Sequence, residues 1–184
     1  MQTYSHFLLT TLLRRKLHNR GTQSHPTLLL GSVLPDVPLI LLSIGYVVHR
    51  RWINPALPDK TRCSPTYNDL YFNNRWWILC HHLFHAPILL LLYALIGDWA
   101  EKRGYVWGAP LFWLAVGAAL HVGIDIFTHH DDGPLLLYPF DWQTRYQASV
   151  SYWDASKGGR TFALLEHALD AALLYTVVQN RSRL

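Results

Sequence analysis

The sequence predicts an all-α fold, a compact membrane-associated bundle of about five to seven helices. Three observations carry that expectation. Hydrophobic residues make up 51% of the chain and charged ones only 15%, against roughly 25% charged in soluble domains. The apolar runs at 27–48, 87–97, 105–128 and 162–178 have the length of helices, not strands. The mean hydropathy of +0.08 is too high for an ordinary soluble protein and too low for a simple bundle of spanning helices. Some helices should therefore be broken or interfacial, and an irregular aromatic loop is expected at 133–160. With 184 residues the chain suits one domain, 1–184, with a real core.

Residues 4–17 read as a helix too short to span, ending on Arg14-Arg15-Lys16, which favours the helix dipole. His6 lies near its start, and the segment before it lacks the basic-then-apolar order of a signal peptide, so His6 is expected in the mature protein. The run at 27–48 is long enough to cross a bilayer. Pro35 and Pro38 flank Asp36 within it, however, which breaks the run into two shorter helices with Asp36 at the joint, as an N-cap or a ligand. Residues 49–75 are polar and contain three prolines; an extramembrane excursion with a short helix at 67–72 fits them. Then come His81, His82 and His85, just before the run at 87–97, and a charged turn at 98–104. The helix at 105–128 places His121 and Asp125 on one face, since i and i+4 align, with His129 and His130 at or just beyond its end. In the last helix, 162–178, Glu166 and Asp170 share a face beside His167.

The chemistry follows from the side chains these runs carry. Ionisable groups in apolar surroundings are costly unless paired or bound to an ion. His6, Asp36, His81, His82, His85, His121, Asp125, His129 and His130 are the candidate metal ligands. Asp36, Asp125 and Glu166 are the candidate catalytic carboxylates. Imidazole and carboxylate without thiolate suit a catalytic zinc, with manganese or iron as alternatives, and the number of groups could feed one or two ions. Cys63 and Cys80 are too few for a disulfide framework. The implied reaction is hydrolysis by a metal-activated water. No Gly-rich phosphate loop and no HExxH is present. The net charge of +4 is spread over Arg14-Arg15-Lys16, Arg50-Arg51, Lys60/Arg62 and Arg181/Arg183. Such short clusters fit anionic headgroups, so membrane lipids are expected partners and nucleic acid is not. The 8 Trp and 10 Tyr suit the headgroup zone.

The ordered set of His6, Gly31-Ser-Val-Leu-Pro-Asp36, His81-His-Leu-Phe-His85-Ala-Pro, His121-Val-Gly-Ile-Asp125 and Pro134-Leu-Leu-Leu-Tyr-Pro139 resembles the bacterial inner-membrane family of membrane-bound metal-dependent hydrolases. More distantly, its His/Asp order is similar to that of zinc-dependent phospholipase C. The resemblance implies that His6, Asp36, His85, His121 and Asp125 face the metal, with Asp36 as ligand or general base and Asp125 as a bridging ligand. It also implies localisation in the bacterial inner membrane and a phosphoester substrate, such as a lipid headgroup. Two departures stand out. The family's His-Arg-Gly-x-Thr-His is replaced by Cys80-His81-His82-Leu-Phe-His85, leaving open which earlier histidine serves. The late HxxxE or HxxxD of the phospholipase is absent, and Glu166 is a loose substitute. His129-His-Asp-Asp132 and Ser151-Tyr-Trp-Asp154 resemble a subgroup within the family.

Two functions therefore compete. One is a metal-dependent phosphoesterase acting at the membrane. The other is a non-catalytic accessory or assembly subunit of an oligomer or larger membrane complex, whose histidines bind a structural metal or a pigment.

Overall fold

A computed structural model describes residues 1–20, 24–54 and 64–179. The expectations for Cys63 and the basic pairs Lys60/Arg62 and Arg181/Arg183 lie outside them. Among the described residues the fold is all-helical, with a single isolated bridge between Leu135 and Arg145.

Helix α1, Thr3–Asn19, ends on Lys16 and His18, as the dipole favours. The broken run resolves into α2, Thr27–Gly31, a 3₁₀ turn at Leu34–Asp36 and α3, Val37–Val48, which continues into a wider turn at His49–Ile53. Pro35 and Pro38 sit in the first turns of the pieces they begin, where the missing N–H costs nothing. Asp36 precedes α3 but makes no capping hydrogen bond, so its carboxylate is left for other partners. Helix α4, Pro65–Asn73, is capped by Ser64, whose hydroxyl oxygen accepts from the Tyr67 N–H at 2.9 Å. Helix α5, Arg75–His82, is capped by Asn74.

Helix α6, Pro87–Lys102, runs further than the expected turn at 98–104. Lys102 reaches back one turn to Asp98 at 2.7 Å, an i,i+4 pair that keeps the charged stretch helical. The turn is then made at Arg103–Trp107, through Gly104 at φ 78°, and α7 occupies Gly108–Thr128. Helix α8, Gly159–Gln179, closes the fold.

Helix α7 is the centre of the packing, between α6 on one side and α2 on the other. Small residues set the second contact. A Cβ on Gly31 would lie 2.0 Å from the Leu114 carbonyl oxygen, and one on Gly117 would lie 2.1 Å from that of Leu28. Only glycine allows backbones this close, as in helix pairs within membranes. On the other side Leu90 of α6 meets Ala118 and Val122 of α7 in the core. A cluster of Tyr46, Tyr67 and Tyr71, with Trp77 against it, joins α3, α4 and α5.

The segment between α7 and α8 is irregular and aromatic, as expected. It folds back on the end of α7: the Tyr152 N–H donates to the Thr128 carbonyl at 2.9 Å, and the Ala148 N–H to that of His129 at 3.3 Å. Trp153 Nε1 donates to Asp132 at 2.8 Å.

Among the described residues, three helical stretches are long and apolar enough to cross a membrane: Thr27–Ile53, Gly108–Thr128 and Gly159–Gln179. The pair α5–α6, bent by 43°, would make a fourth if it counts as one span. Leu91, Leu92 and Leu95 of α6 and Leu164, Leu165, Leu174 and Tyr175 of α8 are exposed.

Candidate metal centre

The close packing of α2 on α7 is what aims the first candidate ligand, His121. It brings the Ser32 carbonyl within 2.8 Å of His121 Nδ1, which must donate its proton there. The opposite nitrogen, Nε2, then faces two carboxylates: Asp125 Oδ2 at 3.0 Å and Asp36 Oδ1 at 3.4 Å. One helical turn places Asp125 beside His121, and the 3₁₀ turn after α2 delivers Asp36 to the same point.

Asp125 is the hub. His6 Nε2 lies 3.0 Å from Oδ1, and the Met1 amino group donates to the same oxygen at 3.0 Å. Oδ2 is shared by His121 Nε2 and by His85 Nε2 at 3.3 Å. The His6 and His121 rings stack at 3.8 Å between centroids. His6, His121 and Asp125 are each 1% exposed, and one donor atom from each lies within 4.8 Å of the others. Burial holds His6 below the ordinary histidine pKa in spite of the Asp125 carboxylate, which favours the neutral imidazole a metal requires.

The residues fit a bound cation on a structural test. Among the described residues, His121 Nε2 has no hydrogen-bond partner of proper geometry although carboxylate oxygens surround it, and His6 Nδ1 is likewise buried without one. An imidazole lone pair held 3.0 Å from a carboxylate oxygen repels it unless a positive centre is shared between them. A proton on Nε2 would be poorly aligned, whereas an ion with nitrogen and oxygen ligands is suited to the cluster.

The other sequence candidates are placed as follows. His82 Nδ1 donates to the Ile78 carbonyl at 3.0 Å, and its Nε2 meets Arg145 at 3.5 Å. His81 Nε2 is 2.8 Å from His85 Nδ1. Just past the end of α7, His129 Nδ1 donates to the Asp125 carbonyl at 3.0 Å and His130 Nδ1 to that of Ala148 at 2.6 Å. Burial lowers the His129 pKa. Glu166 accepts from the Gln2 N–H at 2.7 Å, and Asp170 from the Ser5 hydroxyl at 3.0 Å. These two carboxylates thus meet the start of α1, which has no capping side chain of its own. Cys80 is exposed.

Sequence reasoning missed the contribution of residues 1–3. Besides the Met1 and Gln2 contacts, the Thr3 hydroxyl donates to Asp36 Oδ2. No local pattern announces such contacts, because their partners lie 33 to 164 positions away.

A cavity of about 600 Å³ opens onto the centre, lined by Asp36, His81, His85 and His129 together with Tyr71 and Trp153, among others. Its carboxylate and imidazole groups are proton acceptors, and a cation held at the centre would supply the positive charge that an oxyanion needs.

No curated protein and no solved structure matches the chain. A family model described as zinc dependent phospholipase C matches residues 5–176, nearly the whole chain. The chain therefore belongs to the zinc-dependent phospholipase C family, which implies zinc as the ion for the cluster of His6, His121 and Asp125.

Proposed function

We propose that this protein hydrolyses a phosphoester of a membrane lipid, releasing its headgroup at the surface of the bacterial inner membrane. Its family supports a metal-dependent phosphoester hydrolase. The observation that carries the reading is the convergence of His6, His85 and His121 on both oxygens of buried Asp125, beside an open cavity. A lipid substrate is supported by the cavity wall: Leu39 and Ile40 line it, and the apolar surface of α3 continues from there through exposed Leu41 and Ile44. The spans of sufficient length and apolarity support the membrane location.

Zinc, when bound, polarises the phosphoester and lowers the pKa of an attacking water. The chain supplies the ligands and the proton acceptor. Asp125 is enclosed, with its side chain 2% exposed, and serves as a ligand; Asp36, at 21%, reaches the cavity and can take a proton from water. The Thr3 hydroxyl on one Asp36 oxygen and His121 beside the other fix its orientation.

Turnover of lipid and soluble phosphodiesters by the zinc-loaded, detergent-solubilised protein tests the reading. Asp36→Asn should retain zinc while turnover drops by about a hundredfold or more, the usual contribution of a general base. Zinc-loaded wild type that cleaves neither substrate class would sink the proposal and leave the non-catalytic accessory role standing.

A further inference from the structure

We infer that His81 is a positioning residue of the zinc centre: its Nε2 accepts the Nδ1–H of His85 and so fixes the tautomer that turns His85 Nε2 toward Asp125. The inference rests on the reading that this cluster holds zinc. Its basis is the 2.8 Å separation of His85 Nδ1 and His81 Nε2, with both residues 3% exposed. Two imidazole nitrogens this close share one proton, since two lone pairs or two N–H groups would repel. If His85 is to ligate through Nε2, 3.3 Å from Asp125 Oδ2, its proton must reside on Nδ1. His81 must then accept on Nε2 and carry its own proton on Nδ1.

The three clustered histidines consequently divide their work. His85 faces the centre. His82 is held away from it by the Ile78 carbonyl and Arg145. His81 lies beside His85 on the cavity wall, its ring 5.6 Å from that of Tyr71 and 4.7 Å from that of His82. A metal-bound histidine usually donates its second N–H to a carboxylate, a carbonyl or water. A neutral imidazole can take that place because its lone pair accepts the same N–H.

The test is zinc affinity by chelator competition for wild type, His81→Gln and His81→Leu, with thermal melting as a control for folding. The tautomer of His85 is read in parallel from ¹⁵N shifts of histidine-labelled, zinc-loaded protein. Glutamine can offer its side-chain oxygen near the place of Nε2, so His81→Gln should stay within about threefold of wild type, whereas His81→Leu should bind zinc about 10- to 100-fold more weakly. Wild type and His81→Gln should both show His85 protonated on Nδ1. Equal losses in the two variants, wild-type affinity in His81→Leu, or a proton on His85 Nε2 in the zinc-loaded protein would each overturn the inference. Should His81→Leu fail to fold, the glutamine variant and the ¹⁵N shifts decide alone. Zinc binding that is abolished by Asp125→Asn but indifferent to His81 refutes this inference only; a wild type that binds no zinc refutes the reading beneath it as well.

Discussion

Replacing Asp125 with asparagine removes one negative charge and one acceptor from the point where the chain concentrates its donors. Oδ1 is contacted at 3.0 Å by both His6 Nε2 and the Met1 amino group, and Oδ2 by His121 at 3.0 Å and His85 at 3.3 Å. Asparagine keeps one oxygen and no charge, so it loses the negative partner that would offset an ion held beside the His85 and His121 Nε2 lone pairs. With Asp125 only 1% exposed, water cannot repair the loss. Removing one partner of a buried charged constellation costs about 3–5 kcal/mol. At about 1.4 kcal/mol per factor of ten, zinc affinity should fall between about a hundredfold and a few thousandfold. Chelator competition measures the affinity. Melting with and without zinc provides a second readout: the ion should raise the Tm of wild type and leave the variant nearly unmoved. Zinc binding within threefold of wild type by a folded Asp125→Asn protein would refute the assignment of this residue as the hub.

Glu166→Ala should destabilise the protein by about 1 kcal/mol, the net worth of one hydrogen bond, because the Gln2 N–H at the exposed start of α1 loses its partner at 2.7 Å. Calorimetry measures that loss, and Glu166→Gln, which keeps an acceptor oxygen, should recover most of it. In the aromatic segment, the Ser156 hydroxyl and N–H hold the Asp154 carboxyl below its ordinary pKa. A depressed carboxylate stabilises the fold fully above its unfolded pKa of roughly 4 and loses that contribution as the pH falls through the lower, folded value. NMR titration should therefore show an Asp154 midpoint below the ordinary aspartate value, with the Ala155–Lys157 turn loosening only under that midpoint. Asp154→Asn should remove this acid transition.

The difference between what was legible and what was not follows from the range of the forces involved. Prolines 35 and 38 announced the break at Asp36 because a ring that fixes φ and removes an N–H acts locally. His121 and Asp125 announced a shared face because helical periodicity is local too. The i,i+4 spacing of His81 and His85 was equally visible, but it could not say which nitrogen of which ring faces the centre. That depends on the rotation of α5 against α7 and on Ile78, Arg145 and Asp125 as partners. Glu166 was legible as a carboxylate in an oily helix, while its contact with the start of α1 was not.

The sequence by itself determined an all-helical chain, the break at Asp36 and an imidazole–carboxylate donor set without thiolate, because periodicity, proline and side-chain chemistry need no knowledge of distant contacts. Only the tertiary structure decided that Asp125 is the point on which His6, His85 and His121 meet. Glycines 31 and 117 let α2 approach α7 closely enough for the Ser32 carbonyl to hold His121 Nδ1. The site is thus fixed by backbone approach between segments far apart in the chain, a property of packing that no single stretch contains.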